Sequence, residues 1–143
     1  MHVKVTWTQL TEHTPHWDYC GCLYAYVDSE SGEVLYIGKA DYHSVGQRLS
    51  GRHKENVFRY FRRYGVRSFD VIHGQLWLEE GRRFSRQLLA DVESLLINRL
   101  LPPANIACTK SRISRPGMRV TCSGDWPDRR RRFHDSRVAD RFA

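Results

Sequence analysis

Val3, Val5 and Trp7 alternate with polar residues, a period that predicts a leading strand within residues 3–10. Residues 11–20 are rich in Thr, His and Pro and read as a loop. Gly21 to Val27 carries Leu23, Tyr24, Tyr26 and Val27, the composition of a strand. The polar run from Asp28 to Glu33, with Gly32 supplying a positive φ angle, then turns the chain back into a second strand from Val34 to Gly38. The two strands predict an antiparallel β-hairpin.

After Gly38 the period changes. Ser44 is placed to cap a helix from Val45, with Val45, Leu49, Val57, Phe58 and Phe61 on its apolar side. Gly51 interrupts this pattern and divides it into two short helices, and Tyr64-Gly65 ends it. Phe69 to Leu78 alternates again as a strand. Ser85 opens a helix to about Leu100, with Leu88, Leu89, Val92, Leu95 and Leu96 on its inner face. Pro102-Pro103 stops it. Residues 109–117 read as a basic loop, Met118 to Cys122 as a final edge strand, and Asp128 to Ala143 as a mobile tail with four consecutive arginines and few core residues. The order of elements predicts an α/β (α+β) sandwich with a small central antiparallel sheet.

A chain of 143 residues suits one compact domain, and 41% apolar residues suffice for a core. Lys and Arg outnumber Asp and Glu by 23 to 16, which favours a polyanionic partner. The excess is unevenly placed, since residues 109–143 hold 10 basic and 4 acidic side chains. A second basic stretch holds Arg48, Arg52, Lys54, Arg59, Arg62, Arg63 and Arg67, opposed only by Glu55 and interleaved with Tyr60 and Tyr64. Such a run is either a solvated helix face or a nucleic-acid contact on which bases stack. The N-terminus has no apolar signal segment and no run reaches the length of a membrane span, so a cytoplasmic protein with reduced cysteines is expected. Cys20-x-Cys22 is a poor zinc spacing, and Cys108 and Cys122 form no second close pair.

Strand alternation puts Tyr24 and Tyr26 on one sheet face, and Tyr36 can approach Tyr24 across the hairpin. Both rings are also ordinary sheet aromatics. Glu93 lies between Leu89 and Ile97, bordering an apolar helix face, where a carboxylate is costly unless it is paired or holds a metal. Arg48 and Arg52, one turn apart, are candidate partners.

These residues resemble the GIY-YIG nucleases. The matching elements are Leu23-Tyr24, the run Tyr36-Ile37-Gly38-Lys39-Ala40, Arg48 with a partner four residues on, Glu93 in a Glu-x-x-Leu-Ile helix, and Pro102-Pro103-x-Asn105. Their order and spacing agree over about residues 20–107. The resemblance implies a small three-stranded antiparallel sheet flanked by helices, between an N-terminal arm (1–19), a C-terminal extension (108–127) and a basic tail (128–143). It implies a DNA endonuclease that hydrolyses phosphodiesters with one divalent ion, Mg²⁺ or Mn²⁺.

Carried over by position, Tyr24 and Tyr36 are the motif tyrosines, Arg48 the motif arginine, Glu93 the metal ligand and Asn105 the supporting amide. Mg²⁺ takes oxygen ligands and often only one carboxylate with waters and phosphate oxygens. Arg48 can fork onto a phosphate. A tyrosine whose pKa is lowered by the metal and by basic neighbours can take a proton from water. That role is assigned to Tyr24, with Tyr36 orienting water or phosphate, and the two can be exchanged. Lys39 can stabilise a phenolate. The sequence departs from the family at Cys22, where the first motif has glycine, and at Arg52, where the family often has His or Tyr. Either a bulge at Gly51 brings His53 into the site, or Arg52 is a second phosphate clamp. Arg129, Arg130, Arg131 and Arg132 in the tail are candidate DNA contacts. RNA remains open as a substrate, and a double-strand break would need a homodimer or sequential nicking.

The alternative is a non-catalytic nucleic-acid-binding module that uses exposed aromatics of the Gly21–Val27 strand and the basic tail. It leaves Glu93 and Asn105 without a role.

Overall fold

The computed structural model describes residues 1–51, 54–105 and 117–135. The strands are β1 (His2–Gln9), β2 (Cys22–Asp28), β3 (Val34–Ala40), β4 (Phe69–Leu78), β5 (Arg119–Gly124) and β6 (Arg132–His134). The helices are α1 (Val45–Leu49), α2 (Glu55–Arg63) and α3 (Arg86–Leu100), with a 3-10 turn at Pro15–Asp18. All six strands form one mixed sheet, curled into half a barrel, in the order β3-β2-β4-β1-β5-β6.

This corrects the expected fold of a small three-stranded sheet flanked by helices. The antiparallel set β3-β2-β4 is present but makes up only half of the sheet. The segment expected as an arm supplies β1, which pairs antiparallel with β4 and parallel with β5. β5, expected at an edge, is enclosed between β1 and β6. Residues 128–135, expected as part of a mobile tail, are packed: Phe133 and Asp135 are buried, and Trp126 lies 5.0 Å from Trp7 between ring centres. One apolar side chain in β6, Phe133, is buried while its neighbours Arg132 and His134 are polar and exposed. The remainder of the basic loop and tail, 106–116 and 136–143, lies outside the described residues.

Local signals place the other elements. Ser44 Oγ accepts from Gln47 N, while Gln47 Oε1 accepts from Ser44 N, a reciprocal cap that starts α1. Ser85 Oγ accepts from Leu88 N at 3.0 Å and starts α3. Leu101 closes α3 in the left-handed conformation, with φ of 52°, just before Pro102.

The sheet buries both faces over its β3-β2-β4 half. On one face α3 lays Leu88, Leu89, Val92, Leu95 and Leu96 onto Leu23, Ala25, Ile37 and Ile72. On the other, α1 and α2 bring Val45, Val57 and Phe61 over Tyr24, Tyr26 and Val71. Each fully buried aliphatic or aromatic side chain contributes about 1.5–3 kcal/mol. Tyr24 and Tyr26 are therefore core residues, and the exposed aromatic strand required by the binding-module alternative is absent from β2. Among the described residues no helix is long and apolar enough to cross a membrane.

Candidate active site

The site begins in the β2-β3 hairpin. Tyr26 faces Tyr36 directly across the pair, and Tyr24 faces Gly38. The three rings form one cluster, with centroids 5.5 Å apart for Tyr26–Tyr36, 5.6 Å for Tyr24–Tyr26 and 6.2 Å for Tyr24–Tyr36. Gly38 lets Tyr24 lie across the edge strand. A Cβ there would stand 2.5 Å from Tyr24 Cζ and Oη and 2.9 Å from Tyr36 Cε1.

Lys54 fills the centre of this cluster. It is fully buried just ahead of α2, where its N–H donates to Gly51 O at 3.0 Å. Gly51 lies between α1 and α2, where its sequence implies a division of the helical segment. Lys54 Nζ donates to Tyr36 Oη at 2.5 Å and lies 3.9, 4.8 and 5.9 Å from the ring centres of Tyr36, Tyr24 and Tyr26. Three aromatic faces and one phenol oxygen stand around an ammonium otherwise removed from water.

Arg48, in the last turn of α1, lines two adjoining cavities of about 210 and 280 Å³. Lys39, Asp41, Tyr42 and His43 line the first with it, and His43, Gln47 and Gly51 line the second. Lys39 pairs with Asp41 at 3.1 Å. Across the β3 edge, Glu93 of α3 feels Lys39, Lys54, Arg48 and Asp41. Burial pushes its carboxyl up to about 7, the three cations pull it down, and Asp41 raises it further. Among the described residues no cation forms an ion pair with Glu93.

Several polar atoms here are buried and lack a hydrogen-bond partner of good geometry among the described residues. They are Tyr24 Oη, Tyr26 Oη, Arg48 Nε and Asp41 Oδ1. Each orphan of this kind costs about 1–3 kcal/mol, and native proteins rarely accumulate them without a use. Burial also raises the Tyr24 phenol well above its usual range, with Tyr36 and Tyr26 adding to the rise and Arg48 opposing it. In the protein alone, packing in the core thus outweighs the pull of Arg48 on the Tyr24 phenol.

Asn105 serves the site from behind. It is buried, its Oδ1 accepts from Ile37 N at 2.8 Å, and its Nδ2 donates to Ile37 O at 2.8 Å. Both ends of the amide are taken by the peptide between Tyr36 and Gly38, so Asn105 positions the motif strand. With Ala104 N donating to Leu35 O, it also covers the edge of β3.

Tyr24, Tyr36, Lys39, Arg48 and Glu93 are thus brought together from three parts of the chain. Arg129 to Arg132 are not. They belong to the β6 end of the sheet, five strands along its curled surface from β3. There Arg130 pairs with Asp128 at 3.3 Å and Arg131 donates to Trp126 O. Arg52 and His53 lie outside the described residues. Sequence reasoning missed Lys54, Asp41 and His43. Lys54 is visible in the sequence only as one charge in a basic run. Asp41 and His43 follow the Tyr36–Ala40 motif by one and three positions, and that proximity was their one signal.

A metal ion fits this donor set in one way. Among the described residues no three His, Cys, Asp or Glu side chains gather closely enough to hold an ion by protein ligands alone. Glu93 with Asp41 offers one or two carboxylates, the number Mg²⁺ uses when substrate phosphates and water complete its shell. No protein family, curated protein or solved structure matches the chain.

Proposed function

We propose that the protein is a divalent-metal-dependent nuclease that hydrolyses DNA phosphodiester bonds at the β3 edge, a reading that its resemblance to the GIY-YIG nucleases suggests. The observation that carries it is the meeting of buried polar groups, Tyr24 Oη beside Arg48, and Arg48 Nε without a hydrogen-bond partner among the described residues, with a desolvated Glu93 that no described cation pairs. An acidic pole and a cationic pole in one cleft suit a ligand that carries both a metal ion and a phosphate.

Glu93, with Asp41, would hold Mg²⁺ or Mn²⁺, which when bound offsets charge on the phosphate oxygens and acidifies water. Arg48 Nε donates to a phosphate oxygen, satisfying an atom that has no partner in the described protein. Lys54 already donates to Tyr36 Oη, so the Tyr36 proton is directed away from Lys54. If Tyr36 loses that proton, the ammonium compensates the phenolate. Tyr36 is therefore the better proton acceptor from water, and Tyr24, whose phenol is held neutral by burial, the better hydrogen-bond donor. This exchanges the two tyrosine roles expected from sequence. One water is consumed: its oxygen bonds to phosphorus, one P–O ester bond breaks, and the departing oxygen regains a proton.

Incubation with supercoiled plasmid tests the reading. Nicking should require Mg²⁺ or Mn²⁺, stop on chelation and resume when metal is restored. Absence of nicking with both Mg²⁺ and Mn²⁺, or nicking that persists on chelation, would overturn it.

A further inference from the structure

The sheet face that carries Tyr24 continues past α1 and α2. Tyr24 pairs with His73, and His73 with Thr8, so the same face runs from the hairpin across β4 onto β1. In the next rows it is open. Trp77, Lys4, Thr121 and Arg132 follow one another across β4, β1, β5 and β6. A second row holds His2, Arg119 and His134. Lys4, Arg119, Arg132 and His134 are exposed, and Trp77 is 59% exposed. The inward positions of the same strands, Val3, Val5, Val120, Cys122 and Phe133, are buried. Alternation thus concentrates cations on one face without cost to the core.

A hollow of about 400 Å³ is bounded by His2, Arg119, Thr121, Arg132 and His134, with no carboxylate in its lining. His2 Nε2 and Thr121 Oγ1 are joined at 2.8 Å in its floor. The adjacent acid, Glu79, accepts from the His2 backbone N–H outside the hollow.

We infer that this open face binds single-stranded DNA, with phosphates in the hollow between Arg119 and Arg132 and a base against Trp77 beside Lys4. Charge complementarity selects a polyanion, since three fixed cations face solvent and only one carboxylate, Glu79, borders them. A flat aromatic on a sheet selects an unpaired strand, because only an unstacked base can present its face to the ring. The inference deepens the proposed nuclease by giving it a second contact, three to five strands along the sheet from β3. It rests on that reading only for its connection to cleavage.

The test uses oligothymidylate binding, followed by fluorescence anisotropy at several salt concentrations in metal-free buffer. R119E/R132E should weaken binding at least tenfold at low salt and flatten the log-affinity against log-salt slope by about 1.4, given about 0.7 per single-strand phosphate contact. K4Q should flatten it by about half as much, and thermal unfolding confirms that both variants fold. Trp77→Phe should abolish the quenching of tryptophan emission by the oligonucleotide while the fold is kept. Hydrolysis of bis(p-nitrophenyl) phosphate, too small to reach this face, should be unchanged by R119E/R132E. Binding and salt slope equal to wild type in folded R119E/R132E would overturn the inference, as would a loss of duplex binding with single-strand binding intact. Because these assays need no cleavage, their outcome is separate from that of the plasmid assay.

Discussion

Lys54 Nζ lies 2.5 Å from Tyr36 Oη and 3.9 Å from the centre of the same ring, although the residues are 18 positions apart on different elements. The contact fixes α2 to the hairpin and puts a buried positive charge beside the phenol oxygen proposed to accept a proton. Lys54→Met removes the charge and keeps most of the stem. The folded variant should lose cleavage by about 100-fold or more at saturating DNA, the range for a proton-transfer partner. KM should change little, since Lys54 does not reach solvent. Turnover equal to wild type would remove Lys54 from the mechanism.

Gly38 is the backbone gap through which Tyr24 reaches the edge strand. Gly38→Ala places a methyl 2.5 Å from the Tyr24 ring and hydroxyl. Overpacking of this kind costs about 1–3 kcal/mol. We expect a lower denaturation midpoint together with a cleavage rate reduced beyond what the unfolded fraction explains. A variant as stable and as active as wild type would mean that Tyr24 does not need this position.

Glu93 gives the site a pH signature. Burial raises its carboxyl from 4.5 to about 7, so the native state holds the proton more tightly than the unfolded chain. Its favourable contribution to stability is complete below about pH 4.5 and is lost as pH rises through about 7. Glu93→Gln stays neutral at every pH. In metal-free buffer the Tm of the variant should gain on wild type between pH 5 and pH 8, as measured by thermal unfolding across that range. Parallel Tm curves would show that the carboxylate is not desolvated.

Asn105 is expected to act on stability and geometry, and not on DNA affinity. Asn105→Ala leaves the Ile37 N–H and C=O without their 2.8 Å partners. The loss should be about 1–3 kcal/mol, with kcat reduced through the displaced Tyr36 and Gly38. DNA affinity, measured without metal, should stay near wild type. Weakened affinity with unchanged stability would instead make Asn105 a substrate contact.

The parts of this molecule that were legible in its sequence are those fixed by neighbours in the chain. The hairpin, the Ser44 cap, the division at Gly51, the strand from Phe69 to Leu78 and the helix from Ser85 each depend on a turn residue, a cap or a local period, and each is found where those signals lie. The β1-β5 pairing was not legible, because it joins segments more than 100 residues apart and alternation does not name a partner. β6 was hidden in a run of arginines by its single buried residue, Phe133. At the site, the residue types Tyr24, Tyr36, Arg48 and Glu93 could be read from order and spacing. Their electrostatics could not. The Tyr24 pKa depends on how deeply α1 and α2 cover the sheet, and nothing in the basic run marks Lys54 as the residue that is buried.

The most direct test of the central claim is the nicking rate of purified, folded Glu93→Gln on supercoiled plasmid at saturating Mg²⁺. An amide cannot supply the carboxylate charge that Mg²⁺ prefers. The proposed site requires metal-dependent cleavage to fall to background, with DNA binding and the melting transition preserved. A folded Glu93→Gln protein that nicks plasmid at the wild-type rate would contradict the assignment of the β3 edge as a metal-dependent active site.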